Sequence, residues 1–218
     1  FKIMAFIVTL ATLYICRGLG LMITKTRETK LPEEFLKVGY SDVFGVPLPV
    51  IIFLIVLLTA HYVLKYTPFG KQVYAVGHDR EGAKKAGIQV NRILIYVYII
   101  CGFTAAIGGI VAIAQLGTVS PKFGDQREFI VIAAAVLGGT SLFGGRGQVL
   151  PGTVLGAILI LTIENGLVII NADPYIYPIV TALIIFLAVF VDSMRNKQLE
   201  LLGRRKIRTN KHSLVEPK

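Results

Sequence analysis

Residues 93–116 read ILIYVYIICGFTAAIGGIVAIAQL and contain no charged side chain. At 1.5 Å per residue, a helix over this stretch is about 36 Å long, which exceeds the roughly 30 Å hydrocarbon core of a bilayer. The stretch therefore predicts a membrane-spanning helix.

The composition of the whole chain points the same way. Its 218 residues are 54% apolar and only 17% charged, with a mean hydropathy of +0.69. Soluble domains carry about 25% charged residues, so a water-soluble globule is excluded. Five further apolar runs lie at 1–23, 46–64, 129–143, 149–170 and 175–191. We predict an all-α, polytopic transmembrane helical bundle with about six membrane segments.

The run 129–143 is too short for an ordinary crossing, because a helix of that length spans about 22 Å. It ends in GGTSLFGGRG at 138–147, a composition that disfavours helix and permits a broken or re-entrant backbone. A simple glycine-rich turn is the alternative. The residues expected to break the backbone are Gly138, Gly139, Gly144 and Gly145.

The distribution of basic residues predicts the topology. The loop 65–92, Arg146 and the chain from residue 195 onward hold 15 of the 23 basic residues. Basic loops stay in the cytoplasm, so these segments and the C-terminus are expected inside. We divide the chain into a transmembrane domain, 1–195, and a basic cytoplasmic tail, 196–218. It begins without Met or a signal-peptide pattern, and we expect it to be part of a longer protein.

Several function classes lose support on the residues alone. The net charge of +10 reflects loops and tail rather than a basic face with interleaved aromatics, so no nucleic acid is expected as a partner. The histidines and the two cysteines have no metal-ligand spacing, and no phosphate-binding loop is present, so we expect no metal or cofactor in this chain. A membrane-embedded enzyme would need several convergent polar groups, and only Glu164 is acidic within a predicted span. We therefore expect no catalytic residue.

The hydrophilic loop 65–92, KYTPFGKQVYAVGHDREGAKKAGIQVNR, is much longer than a simple connection needs. TPFG at 67–70 reads as a turn. A short helix is predicted after it, started by His78 or Asp79 and stopped by Gly87. Its small-residue face suits docking into a groove of a partner protein, and a helix lying on anionic lipid is the alternative. The candidate coupling residues are Asp79, Arg80, Glu81, Ala83, Lys84, Ala86 and Gly87.

Three stretches resemble the permease subunits of bacterial ABC importers of the ribose, xylose and simple-sugar type. They are YAVGHDREGAKKAGIQV at 74–90, IAAAVLGGTSLFGGRG at 132–147, and GTVLGAILILTIENGLVIINADPYIYPIVTALIIFLAVFVDS at 152–193. The similarity extends over residues 1 to about 195. Such permeases usually have more helices than this chain, which agrees with an N-terminally incomplete sequence.

The resemblance implies the ABC importer permease fold and a translocation path for a simple sugar. It implies a second permease chain, identical or different, a cytoplasmic ATPase subunit that binds ATP and grips the coupling loop, and a periplasmic sugar-binding protein. The location implied is the lipid of a bacterial inner membrane. A permease for a related solute, such as a nucleoside or a furanose signal molecule, stays open.

Four residues are candidates for the translocation path. Glu164 and Asn165 are expected to line the path or the dimer seam, because a carboxylate in a spanning helix costs about 2.5–3.5 kcal/mol on insertion scales and usually faces a cavity or a partner. Pairing of Glu164 with another helix is the alternative. Gln115 and Glu128 lie near the outer boundary, where they are either path residues or ordinary solvated loop residues.

Overall fold

A computed structural model describes residues 5–142, 144–173, 175–190 and 193–194. The predicted cytoplasmic tail, 196–218, lies outside the described residues, and its role stays a prediction. The chain divides into two compact units, one formed by residues 1–62 and 91–125 and the other by residues 63–90 and 126 onward.

The described part of the chain is mainly helical. The helices are α1 (Ala5–Thr24), α2 (Glu33–Tyr40), α3 (Leu48–Tyr66), α4 (Pro68–His78), α5 (Arg80–Lys85), α6 (Val90–Leu116), α7 (Arg127–Leu137), α8 (Val154–Ile169) and α9 (Ile176–Phe190). The strands are β1 (Thr29–Lys30), β2 (Asp42–Val43), β3 (Val46–Pro47) and β4 (Thr118–Val119). An irregular π-helical turn, Val149–Thr153, precedes α8.

Four segments are long and apolar enough to cross a membrane: Ile7–Thr24, Leu48–Tyr66, Val90–Leu116 and Val149–Ile169. The chain itself buries no residue of the first two segments and only 11% of the residues of the last one. Apolar helices with so little protein cover need lipid or other subunits around them. This confirms the predicted polytopic helical fold, in which α9 is a shorter apolar helix.

Threonine hydroxyls on these helices are satisfied inside the helix. Thr12, Thr24, Thr104 and Thr162 each donate to the carbonyl four residues earlier, at 2.7 to 2.9 Å. A hydroxyl bonded in this way carries no unpaired polar group into the hydrocarbon region, so these residues are compatible with a membrane-spanning position.

In the first unit, short strands next to the helices hold α1, α2 and α6 together. β1 pairs antiparallel with β4, and β2 pairs with β3 in a hairpin. The backbone of α2 lies directly on the end of α6, because a Cβ added to Gly39 would come within 2.6 Å of the Ala114 carbonyl carbon. Arg17, in the last part of α1, forms an ion pair with Asp125.

The second unit has its core where α7, α8 and α9 meet. The buried residues of this core are Ala133, Ala134 and Ile160, and the partly buried Ile184 and Ile185 of α9 pack against them. Small side chains on α7 allow its backbone to approach α8 closely. The second unit also contains residues 65–90 of the hydrophilic loop and the helix that carries Glu164.

One detail of the sequence interpretation is corrected by the structure. TPFG at 67–70 is the start of α4 rather than a free turn: Thr67 caps the helix, its hydroxyl accepting a hydrogen bond from the Gly70 N–H at 3.2 Å, and Pro68 occupies the first turn. The short run 129–143 agrees with the sequence interpretation: its helix, α7, is about 16 Å long and ends at Leu137, directly before the glycines.

Candidate functional site

The helix predicted within the hydrophilic loop is present as α5. Asp79 is its N-cap, with a carboxylate oxygen that accepts from the Glu81 N–H at 3.0 Å. Glu81 lies in the first turn and Lys84 and Lys85 in the last, so the charges complement the helix dipole. Gly87 follows the helix with a φ of +82°, a conformation that glycine adopts readily. The local capping signals thus place the helix where the sequence predicted it.

The surface of α5 is almost entirely charged. The exposed candidate coupling residues are Asp79, Arg80, Glu81, Lys84, Ala86 and Gly87. Ala83 differs, because only 5% of it is exposed. The expectation that Ala83 presents a small side chain to a partner is therefore wrong for this structure. Its carbonyl accepts from the Ile88 N–H at 3.0 Å, so the residue lies inside the turn that closes α5.

A second helix of the loop, α4, was missed by the sequence interpretation. Asp79 belongs to both helices, because its backbone N–H donates to the Ala75 carbonyl at 3.1 Å while its side chain caps α5. Val76 is 3% exposed and anchors α4 in the second unit. The two helices consequently form one folded element, which we call the coupling element, residues 67–87.

The coupling element lies against the glycine-rich segment, residues 138–147. A Cβ on Gly77 would be 2.6 Å from the Gly145 nitrogen, and one on Gly145 would be 2.7 Å from the His78 Cα. A side chain at Gly77 or Gly145 would collide with the facing main chain, so this approach requires glycine at both positions. In addition, the Tyr74 hydroxyl donates to the Gly147 carbonyl at 2.8 Å. The sequence placed both segments on one side of the membrane, and the structure brings them into contact.

The backbone breaks at the glycines that the sequence singled out. α7 ends at Leu137, Gly138 is its C-cap, and φ is positive at Gly139, Gly144 and Gly145. The loop that follows is closed by a hydrogen bond from the Ser141 N–H to the Arg146 carbonyl at 3.1 Å. The chain therefore turns between α7 and α8 instead of continuing as helix.

The turn is followed by close packing between α7 and α8. A Cβ on Gly138 would lie 2.6 Å from the Gly152 carbonyl carbon, and one on Gly156 would collide with the Ala134 carbonyl oxygen. The small residues spaced four apart in each segment, Ala134 with Gly138 and Gly152 with Gly156, therefore bring the two backbones together.

Glu164 of α8 is paired within the chain. The Arg127 guanidinium donates to its carboxylate at 3.2 Å, with 61% of the arginine side chain and 25% of the glutamate side chain exposed. Arg127 begins α7, and its pairing with Glu164 could not be read from two residues 37 positions apart. Pairing with another helix is thus present, and a role for Glu164 in the path stays a prediction.

The other path candidates occupy separate positions. Asn165 is exposed beside Glu164, and Glu128 is half-buried in the first turn of α7, where its charge favours the helix dipole. In the first unit, Gln115 lines a largely apolar cavity of about 300 Å³ between α3 and α6, and its carbonyl accepts from the Tyr40 hydroxyl at 2.5 Å.

Among the described residues, no group of three or more His, Cys, Asp or Glu side chains is arranged to hold a metal ion. The ion pair of Arg17 with Asp125 was also missed, because it joins residues 108 positions apart. The described residues form a charged surface on α5, two arginine–carboxylate ion pairs and close backbone contacts between helices. Such features suit the binding of another protein and the relative movement of helices.

Comparison with known proteins gives consistent matches along the chain. Residues 1–189 match the family described as "Branched-chain amino acid transport system / permease component". The chain is 39% identical over 199 residues to the ribose import permease protein RbsC of Escherichia coli, covering 89% of this chain and 62% of that protein.

Two other relatives are similar to the same extent. Identity is 36% over 197 residues to RbsC of Haemophilus influenzae, covering 88% of this chain and 61% of that protein. The identity to the L-arabinose transport system permease protein AraH of Escherichia coli is 36% over 197 residues, which cover 90% of this chain and 60% of that protein. The chain thus spans about three fifths of the length of these relatives. No solved structure matches it.

Proposed function

This chain belongs to the family of permease components of branched-chain amino acid transport systems, and on that premise we propose that it forms part of the translocation path of an ATP-driven sugar importer. Membership in this family and the four membrane-length helices support a multi-pass membrane transport protein, and enzymatic activity is assigned to a partner subunit. The observation that carries the proposal is the 39% identity to a ribose import permease along 89% of the chain.

The coupling element is the part that we assign to the ATPase. Its exposed surface carries acidic groups at the start of α5 and basic groups at its end. This pattern is complementary to a groove on a partner protein in which the order of the charges is reversed. A short, capped helix joined to a second helix is a compact element that a partner protein can bind. We infer that it lies in the cytoplasm, because its loop is rich in lysine and arginine.

The path is assigned to the helices that carry polar side chains in apolar surroundings. Sugars are recognised through hydroxyl groups, and carboxylate, guanidinium and amide groups are their natural hydrogen-bond partners. Glu164, Asn165 and Arg127 supply all three types near one position of the second unit. Gln115 and Glu128 are further candidates.

The remaining partners follow from the same proposal. ATP is bound and hydrolysed by the partner subunit, and no covalent step takes place in this chain. A second permease chain completes the path, and a periplasmic binding protein delivers the sugar from outside. The complex lies in a bacterial inner membrane with the C-terminus of this chain in the cytoplasm.

The solute is proposed from the names of the relatives. The relatives described above are permeases for ribose and L-arabinose, both neutral polyhydroxylated molecules. The description of the family instead names branched-chain amino acids, which are zwitterions with an apolar side chain. A nucleoside or a furanose signal molecule is a further alternative.

Uptake by reconstituted complex tests the proposal. The full-length permease is purified with the ATPase and binding protein that accompany it, placed in proteoliposomes, and supplied with ATP. We expect ATP-dependent entry of labelled ribose or L-arabinose and no entry of leucine. ATP-dependent entry of leucine alone, or purification without any ATPase subunit, would contradict the proposal.

A further inference from the structure

The contact between the coupling element and the glycine-rich segment has the form of a clasp. We define the clasp as Gly77 with Gly144 and Gly145, reinforced by the hydrogen bond from the Tyr74 hydroxyl to the Gly147 carbonyl. Here main chain meets main chain, since no side chain lies between Gly77 and the two facing glycines.

A second close contact between glycines joins the glycine-rich segment to the turn before α8. At the other end of the glycine-rich segment, Gly138 meets Gly152, and one turn later Gly156 meets the Ala134 carbonyl. Gly156 and Glu164 belong to the same helix, two turns apart. Close backbone contacts therefore lie at both ends of the glycine-rich segment: the coupling element is in contact with Gly144 and Gly145, and the start of the helix of the Arg127–Glu164 pair is in contact with Gly138.

Backbone contacts of this kind transmit displacement differently from side-chain contacts. Long side chains absorb a shift of a neighbouring helix by changing rotamer, whereas two main chains in van der Waals contact have no such freedom. A movement applied to α4 and α5 would therefore be passed to the glycine-rich segment with little loss.

We propose that the clasp makes the coupling element and the glycine-rich segment move as one rigid body, and that Tyr74 is the positioning residue that keeps the clasp closed. The inference rests on the proposed transport function, in which the ATPase moves the coupling element. The glycine-rich segment then carries that movement to α8 and to its polar residues. Tyr74 contacts neither the ATPase nor the solute in this scheme.

A purely structural role of the clasp would have a different consequence. If these contacts only stabilised the fold, weakening them would lower the amount of assembled complex and leave the solute moved per ATP unchanged. If they transmit movement, the assembled complex would hydrolyse ATP with less transport. The ratio of solute transported to ATP hydrolysed separates the two roles.

The first test replaces Tyr74→Phe, which removes the hydroxyl and keeps the ring. Loss of one neutral hydrogen bond corresponds to a factor of about two to ten in an equilibrium, so we expect the solute-to-ATP ratio to fall by that factor. The ATPase subunit should co-purify in the wild-type amount. Tyr98→Phe is the control, because Tyr98 is 53% exposed on α6, and its ratio should equal that of wild type.

The second test replaces Gly77→Ala, which places a methyl group against the Gly145 backbone. The new Cβ would lie 2.6 Å from the Gly145 nitrogen, so the two backbones must move apart. We therefore expect the solute-to-ATP ratio to fall further than for Tyr74→Phe. Gly102→Ala is the matched control, since a Cβ there meets nothing within 4 Å. Both glycines are helical, so the two variants change helix propensity alike.

A distance measurement keeps the inference testable if Gly77→Ala fails to fold. Spin labels are attached at Lys71 of α4 and Leu142 of the glycine-rich segment, with Cys16 and Cys101 replaced by serine. We expect the same distance in the nucleotide-free and ATP-bound complex. A distance that changes with nucleotide would overturn the rigid-body inference.

Failure of the inference can be told apart from failure of the proposed function. If wild-type complex shows no ATP-dependent sugar uptake, the function itself is wrong. If wild type transports and both Tyr74→Phe and Gly77→Ala keep the wild-type ratio, the function stands and the clasp does not transmit movement.

Discussion

Replacement of Asp79→Ala tests the coupling element at its most sensitive point. The Asp79 carboxylate accepts from the Glu81 N–H at 3.0 Å and is the cap of a helix only six residues long. Such a short helix cannot sustain itself, because nucleation is costly and few internal hydrogen bonds follow. Loss of an N-cap costs about 1 kcal/mol, so the ratio of folded to unfolded α5 falls by a factor of roughly five.

The assay is the affinity of the detergent-purified permease for its ATPase subunit. We expect Asp79→Ala to weaken binding roughly fivefold and to speed amide hydrogen exchange over residues 80–86. Asp79→Asn is the matched control, because asparagine caps as well as aspartate, and it should bind nearly as tightly as wild type. Equal affinity for all three proteins would refute the assignment of α5 as the bound helix.

Three further changes probe the packing and the path. Glu164→Gln should lower sugar uptake several-fold while stability changes by no more than about 1 kcal/mol, because the partner Arg127 is 61% exposed; unchanged uptake would remove Glu164 from the path. Gly156→Ala should lower the thermal midpoint, since overpacking costs about 1–3 kcal/mol, whereas Gly166→Ala on the same helix meets no atom within 4 Å and should not. Arg17→Gln should speed proteolysis of the segment before α7 by removing its ion pair; an unchanged rate would show that the pair contributes nothing.

Features set by neighbouring residues were predictable from the sequence. The ends of α5 were correct because an aspartate cap and a terminating glycine act locally. The break after α7 was predictable because several glycines follow one another. The membrane segments were predictable because their length and composition meet the requirements of a bilayer.

Other features were not predictable, either because the local signal is ambiguous or because they depend on how separate segments pack. Thr67 and Pro68 are typical of both turns and helix starts, and only the residues that follow make them the beginning of α4. Ala83 looked suited to a partner, but folding of the loop onto itself buries it. The Arg127–Glu164 pair depends on how α7 and α8 pack, which no local pattern encodes.

Site-specific crosslinking from Lys84 tests most directly whether the coupling element is held by an ATPase from the cytoplasm. A photoreactive residue replaces Lys84, exposed on α5, and in a second variant replaces Lys122 of the predicted outer loop. In living cells we expect Lys84 to crosslink to the ATPase subunit and Lys122 not to do so. Crosslinking of the ATPase from Lys122, or of a periplasmic protein from Lys84, would contradict the topology and the coupling role together.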